Sequence, residues 1–164
     1  MPKTKIQLAV IDMAGTTVAD DGLVVSAFDA AATAAGMAED GPDREQARQY
    51  VLDTMGQSKI AVFRALFGSE ELAQRANVEF ERAYAELIDN GQATAIDGAA
   101  ESIVALRDAG IKVALTTGFS GATQDKLLAA LGCHGPPDLV LAPGDAARPP
   151  PHPAPLPTAL IPPH

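Results

Sequence analysis

The sequence has few of the residues that build disulfide frameworks and metal clusters. One of its 164 residues is cysteine, Cys133, and three are histidine. A lone cysteine excludes a disulfide framework, and no Cys-x-x-Cys or paired-histidine spacing indicates zinc. A reducing, cytoplasmic location fits this composition best.

Positive charge and long apolar runs are also scarce. The chain has 12 basic and 21 acidic residues, which gives a formal net charge of -9. This charge repels a phosphate backbone and leaves no basic stripe for a membrane surface. The apolar run from Leu8 to Ile11 is too short for a signal peptide or a membrane span. We therefore expect neither nucleic acid nor a membrane as a partner.

Proline is concentrated at one end of the chain. Eight of the sixteen residues from Pro149 to His164 are proline. Proline continues neither a helix interior nor a strand ladder. Residues 149–164 are therefore predicted to form an irregular tail.

The rest of the chain alternates between strand and helix patterns. With 47% hydrophobic residues it can build one core and a small appended unit. Apolar runs predict buried parallel strands at Ile6–Ile11, Ile111–Thr116 and Leu139–Ala142. One helix, capped by Asp97 and ended by Gly110, precedes the second strand, and another carries Leu127, Leu128 and Leu131. The pattern is βαβαβ.

A long segment without strand signals interrupts this alternation. Between Leu23 and about Asn90 the apolar residues recur at helical spacing. Four helices are predicted there: Val24–Ala35, Arg44–Met55, Ser58–Phe67 and Ser69–Asp89. The segment therefore predicts an all-helical insertion into the α/β unit.

Polar side chains stand at the ends of the first two predicted buried strands. Asp12 follows the first strand and Thr117 the second. Ligands of open α/β sheets bind beyond the carboxyl ends of the strands. A carboxylate there can attack phosphorus, while Gly15, Thr16 and Thr117 hold the phosphoryl oxygens. The arrangement predicts a phosphoryl-transfer site.

Two runs carry a resemblance to a known family, Asp12-Met13-Ala14-Gly15-Thr16-Thr17 and Leu115-Thr116-Thr117-Gly118-Phe119. They resemble the first two motifs of the haloacid dehalogenase superfamily, in its phosphonatase-like form. The resemblance implies a Rossmann-like α/β core with a parallel sheet, incomplete at the C-terminus, and an inserted helical cap. The core would comprise residues 1–20 and 93–148, and the cap residues 21–92. Asp12 would be the nucleophile, and Thr117 and Gly118 would bind phosphate.

One departure from the family's usual first motif points to the substrate. Ala14 stands where most members have an aspartate that protonates an ester leaving group. Phosphonatases need no such acid, because a cap lysine forms an imine with an aldehyde and the cleaved carbon leaves as an enamine. The segment Met55–Ile60 resembles that part of the cap and places Lys59 at the lysine position. Val62 and Phe119 replace a histidine and a tyrosine of phosphonatases.

The third and fourth motifs are less complete. Arg148 is the nearest match to the basic residue of the third motif, although a second alignment places Pro150 there. The family holds Mg²⁺ with the nucleophile, here Asp12, with the backbone carbonyl of Ala14, and with an acid of the fourth motif. No Asp or Glu follows Asp145. The expected cofactor is Mg²⁺, with an incomplete set of ligands.

Ordinary structural roles compete with each of these assignments. Asp12 could cap a turn, Lys59 could be a solvated charge, and Thr117 could satisfy a strand end. Other acids, Asp20 among them, fit solvated turns and helix starts. The enzyme expected from the resemblance is a hydrolase of a small phosphonate. A phosphate-ester phosphatase and a fragment without catalysis stay open, as does a homodimer.

Overall fold

The computed structural model describes residues 5–20, 22–130 and 139–141. Two strands and then four helices come first, and strands and helices alternate from there on. Their bounds are β1 Leu8–Asp12, β2 Val18–Ala19, α1 Leu23–Ala34, α2 Pro42–Asp53, α3 Lys59–Phe67, α4 Glu70–Asp89, β3 Thr94–Ala95, α5 Ala99–Asp108, β4 Lys112–Thr116, α6 Gly121–Ala130 and β5 Leu139–Leu141. The predicted irregular tail, Leu131 and Arg148 lie outside the described residues.

A parallel sheet of order β1-β4-β5 lies at the centre of the α/β unit. Asp12 at the end of β1 is opposite Thr116 at the end of β4. Val113, Ala114 and Leu115 of β4 are buried, as expected for a strand with neighbours on both sides and helices over its faces. The α/β fold with a parallel sheet, predicted from the apolar runs, is confirmed.

The four helices α1 to α4 form the segment that we name the helical insertion, residues 23–89. The ring of Phe63 from α3 stacks near Phe28 of α1 at 6.4 Å and meets the edge of Phe80 from α4 at 5.8 Å. All three rings are buried. This aromatic contact packs α1, α3 and α4 together, as their helical periodicity predicts, and it is continuous with the core of the α/β unit.

A two-stranded antiparallel ribbon closes the base of the insertion. Val18 pairs with Ala95, and Ala19 pairs with Thr94, so the segments before α1 and after α4 run side by side. The Ile96 amide adds a hydrogen bond to the Thr17 carbonyl at 3.0 Å. The sequence did not predict this ribbon, because two-residue strands are too short to show alternation.

The predicted capping of α5 by Asp97 is wrong. Gly98 is the N-cap, with φ 80° and no side-chain hydrogen bond, and Asp97 lies one residue outside the helix. The left-handed turn at Gly98 sets the direction in which α5 starts, a conformation that glycine adopts freely. At the other end, Gly110 has φ 75°, which confirms it as the glycine that ends the helix.

Candidate active site

Asp12 and Thr117 lie next to each other at one edge of the sheet. The Met13 amide donates to the Thr116 carbonyl at 3.1 Å, which extends the β1–β4 ladder one residue beyond Asp12. Thr117 is the residue that follows on the neighbouring strand. The parallel register therefore brings the carboxylate and the hydroxyl-bearing residue to the same place, as their positions in the sequence predict.

The chain turns sharply after Asp12. Gly15 has φ 75°, a left-handed conformation that residues with a side chain rarely adopt. The amides of Thr16 and Thr17 both donate to the Met13 carbonyl, at 3.1 and 2.9 Å. These two amides are engaged within the turn. Thr16 is exposed, so an anion beside Asp12 would meet its hydroxyl rather than its amide.

The segment after β4, which we name the strand-end loop (residues 117–120), lies against the helical insertion. Thr117 is buried, and its Oγ1 accepts a hydrogen bond from the Phe119 amide at 3.2 Å. A Cβ atom added to Gly118 would lie 2.4 Å from the Gln57 carbonyl oxygen and 2.9 Å from that of Gly56. Only a residue without a side chain permits this approach of the two backbones.

Lys59 is the first residue of α3 and is only 5% exposed. Its Nζ lies 5.4 Å from the centre of the Phe119 ring and 5.9 Å from that of Phe80. Burial lowers the pKa of Lys59, while the negative charges of Asp20, Asp12 and Glu81 oppose the shift. The amine is thus held among aromatic rings and carboxylates, in surroundings that favour its neutral form.

The nucleophile predicted from the sequence and this lysine affect each other. Burial raises the pKa of Asp12, while the Met13 backbone amide and the charge of Lys59 lower it. A mutual electrostatic effect of this kind requires that the two groups lie close together. Asp12 and Lys59 therefore lie within range of each other's charge, and the loop that carries Thr117 contacts the backbone just before Lys59.

We expect the Lys59→Met variant to be more stable than the wild type at pH 7, on the order of 1 kcal/mol. The folded state disfavours the ammonium form, because burial lowers the pKa of Lys59 below its ordinary value. The unfolded chain then binds more protons between these two pKa values, so wild-type stability rises with pH there. The stability advantage of Lys59→Met over the wild type should shrink as the pH approaches the ordinary pKa of lysine.

Urea unfolding of both proteins between pH 7 and 10 measures this difference. Lys112→Met, which changes an exposed lysine of β4, is the matched control and should show no such trend. An advantage of Lys59→Met that stays constant or grows with pH contradicts the prediction.

Three further groups near the site were not predicted. Glu81 of α4 interacts with Lys59, and so does Asp20, which the sequence favoured as a solvated turn charge. Asp20 also accepts a hydrogen bond from the Val24 amide at 3.2 Å, so it stabilises the start of α1 as well. Tyr84 is fully buried, and its ring lies 4.5 Å from that of Phe119. The spacing of Glu81 and Tyr84 along α4 indicated an amphipathic helix and gave no sign of a role at the site.

The described residues include two of the magnesium ligands that the resemblance implies, Asp12 and Ala14. The Asp12 carboxylate and the Ala14 carbonyl belong to one turn, and oxygen ligands of this kind suit Mg²⁺. Within residues 5–20 and 22–130, no group of three or more Asp, Glu, His or Cys side chains could hold a metal. The predicted basic residue Arg148 falls outside the described part of the chain. The donor chemistry of Asp12 and Ala14 fits the ion that the resemblance implies.

Within the helices described, none is long and apolar enough to cross a membrane.

Comparison with known proteins identifies a family over most of the chain. Residues 6–160 match the haloacid dehalogenase-like hydrolase family. No curated protein sequence matches the chain closely enough to count as a relative.

Solved structures share the fold at low sequence identity. A hydrolase from Pseudomonas syringae superposes with a TM-score of 0.72 at 20% identity, over 87% of this chain and 64% of its own. A phosphonoacetaldehyde hydrolase-like protein from Oleispira antarctica gives 0.70 at 22% identity, over 90% and 59%. A protein from Haemophilus somnus, described as a predicted phosphoglycolate phosphatase, gives 0.73 at 18%, over 94% and 70%. This chain spans less than two thirds of the first two proteins.

Proposed function

Because the chain belongs to the haloacid dehalogenase-like hydrolases, we propose that it cleaves the phosphorus-carbon bond of phosphonoacetaldehyde or a related phosphonate. Asp12 is the nucleophile and Lys59 the amine that forms an imine with the substrate aldehyde. The observation that carries the proposal is the position of Lys59, buried under Phe80 and Phe119 and close to Asp12. The likeness in fold to a phosphonoacetaldehyde hydrolase-like protein supports it.

The proposed reaction begins at Lys59. Its neutral amine adds to the aldehyde carbon, and loss of water leaves a protonated imine. A neutral amine is needed for this addition, and the lowered pKa of Lys59 increases its share at neutral pH. The same amine beside three carboxylates regains a proton readily once the imine is hydrolysed.

Phosphoryl transfer follows at Asp12. A carboxylate oxygen attacks phosphorus, the phosphorus-carbon bond breaks, and its electron pair moves into the iminium group to give an enamine. Water then attacks the aspartyl-phosphate at phosphorus, which releases phosphate and restores Asp12. Protonation of the enamine and hydrolysis of the imine release the aldehyde and free Lys59. Because the leaving group is an enamine, Ala14 can stand where ester-cleaving members have an acid.

The phosphoryl group would be held beside the strand ends. Its proposed ligands are the hydroxyl of Thr16, the backbone at Gly15, and Thr117 and Gly118 of the strand-end loop, which belong to the segments that follow β1 and β4. Magnesium, bound through Asp12 and the Ala14 carbonyl, would supply positive charge that neutralises the phosphoryl oxygens. Arg148 is a further source of positive charge in this proposal.

A phosphate-ester phosphatase is the second candidate. The fold likeness to the protein from Haemophilus somnus that is described as a predicted phosphoglycolate phosphatase favours it. In that case a proton for the leaving oxygen must come from water or substrate, since Ala14 supplies none, and Lys59 serves only as a positive charge near the phosphate. The two candidates therefore differ in whether Lys59 forms a covalent bond.

Borohydride trapping separates these candidates. The protein is incubated with phosphonoacetaldehyde and sodium borohydride, and the modified peptide is identified by mass spectrometry. We expect reduction to fix an adduct on Lys59, and the Lys59→Arg variant, which keeps the charge, to form none. Lys112→Arg, which alters an exposed lysine, is the control and should be trapped like the wild type.

The opposite result favours ester cleavage. If Lys59 carries no adduct while phosphate esters are hydrolysed in the presence of Mg²⁺, the imine mechanism is wrong. If neither adduct nor turnover is found with a panel of phosphonates and esters, the chain is a binding module or a fragment without catalysis.

A further inference from the structure

A carboxylate of the helical insertion is bound to the start of α6 in the α/β core. Glu81 of α4 accepts a hydrogen bond from Ser120 Oγ at 2.6 Å and one from the Ser120 amide at 3.4 Å. Its Oε2 also accepts a hydrogen bond from Thr123 Oγ1. We name these three residues the Glu81 latch. Because Glu81 is 39 and 42 positions from Ser120 and Thr123 in sequence, the latch joins the helical insertion to the start of α6.

The latch is placed where a negative charge is favoured. Helix α6 begins at Gly121 and has no acidic residue in its first turn. The start of a helix carries partial positive charge, which a carboxylate stabilises. Hydrogen bonds to an ionised acceptor are stronger than those between neutral groups. Glu81 thus supplies, from the insertion, the charge that α6 does not supply itself.

The latch is also adjacent to the cover of Lys59. Glu81 follows Phe80, and Ser120 follows Phe119, and these are the two rings that lie over the Lys59 amine. On the other side of the strand-end loop, Gly118 touches the backbone of Gln57, two residues before Lys59. Loss of the latch would therefore loosen the place where Phe80 stacks on Phe119 and make the Lys59 amine beside these rings more accessible.

We propose that Glu81 is a positioning residue that fastens the helical insertion over the strand ends and so keeps Lys59 shielded and beside Asp12. The consequence for catalysis rests on the proposed function, in which Lys59 must be a neutral amine near the nucleophile. The fastening itself does not depend on which reaction takes place.

A second contact between α4 and α6 provides a control. Lys126 Nζ lies 2.6 Å from Asp89 Oδ2, and the two side chains are 43% and 61% exposed. An ion pair in solvent of this kind contributes little, because water and salt screen it. Asp89→Asn removes one carboxylate between the same two helices, away from the two rings. It should leave Lys59 as shielded as in the wild type.

The experiment measures how fast trinitrobenzenesulfonate labels Lys59, by mass spectrometry of the peptide. In Ser120→Ala/Thr123→Val the Glu81 charge remains but two hydroxyl donors are lost, and we expect labelling about tenfold faster, as for the loss of a charge-assisted hydrogen bond. Glu81→Gln should give an increase of similar size. Asp89→Asn should give none.

Two comparisons exclude other causes. Hydrogen exchange of the β4 amides, which lie in the middle of the sheet, should stay slow in all variants, since general loss of stability would speed it together with labelling. Removing the Glu81 charge also affects the protonation of Lys59, which moves the labelling profile along the pH axis. Opening of the latch, in contrast, would also raise the labelling rate of Lys59 in the plateau at high pH.

Unchanged labelling in Ser120→Ala/Thr123→Val, or an equal increase in Asp89→Asn, overturns the latch. A pH profile of Lys59 labelling that moves along the pH axis without a higher plateau also overturns the latch. Because labelling needs no turnover, it is independent of borohydride trapping. If the latch variants expose Lys59 but borohydride traps no imine, the latch is supported and the phosphonate mechanism is refuted.

Discussion

Asp12→Asn is expected to reduce turnover by on the order of 10⁴-fold or more, the scale of losing a covalent nucleophile. The amide keeps the size of the carboxylate but cannot attack phosphorus. The free energy of unfolding should change by less than about 1 kcal/mol. Folding already disfavours the ionised carboxylate, because burial raises the pKa of Asp12, so little stabilisation is lost with the charge.

Steady-state phosphate release and urea unfolding of the same preparation measure both quantities. Asp97→Asn makes the same chemical change at an exposed position before α5 and should leave turnover unaltered. Turnover that survives in Asp12→Asn removes this carboxylate from the mechanism. A fall in stability of several kcal/mol would instead give Asp12 a structural role.

Gly118→Ala is expected to be the most damaging small substitution near the site. The φ angle of Gly118 is not left-handed, so alanine meets no strain of that kind, and the cost arises from contact. The added Cβ would lie 2.4 Å from the Gln57 carbonyl oxygen, which belongs to the backbone. Overpacking of this kind costs about 1 to 3 kcal/mol, and relief requires the strand-end loop and the start of α3 to separate.

Gly121→Ala is the matched control for this substitution. A Cβ at Gly121 meets nothing within 4 Å, and Gly121 is the first residue of α6. Alanine there should be neutral or stabilise by up to about 1 kcal/mol, because it restricts the unfolded chain. Urea unfolding and the labelling rate of Lys59 distinguish the two variants. Equal stability and equal labelling would show that the added Cβ is accommodated without separating the two segments, which contradicts the prediction.

Much of the fold could be predicted because its signals are local. The apolar runs that form β1 and β4 are followed at once by Asp12 and by Thr117, and parallel pairing brings strand ends together whatever lies between them. The helices of the insertion follow from their apolar periodicity. Lys59 was found only through the resemblance of the segment around it, since its own position on a helix is compatible with a solvated charge.

The remaining features depend on geometry between distant segments. Glu79, Glu81 and Glu86 are all glutamates of α4, but Glu79 and Glu86 pair with Arg82 on the same helix, and Glu81 reaches Ser120. Glu81 lies on the face of α4 that meets the start of α6, and no local pattern encodes which element packs against that face. The cover of Lys59 by Phe80 and Phe119 has the same origin, because each aromatic residue alone indicates only a core position.

The short ribbon of Val18–Ala19 and Thr94–Ala95 bears on how this architecture tolerates change. Paired strands lie about 5 Å apart, so the two chain ends of the intervening helices leave the catalytic unit side by side. Lengthening, shortening or exchanging those helices leaves the spacing at their base unaltered and puts no strain on the sheet. The ribbon therefore holds the entry and the exit of the helical insertion together, in the segment that follows Asp12.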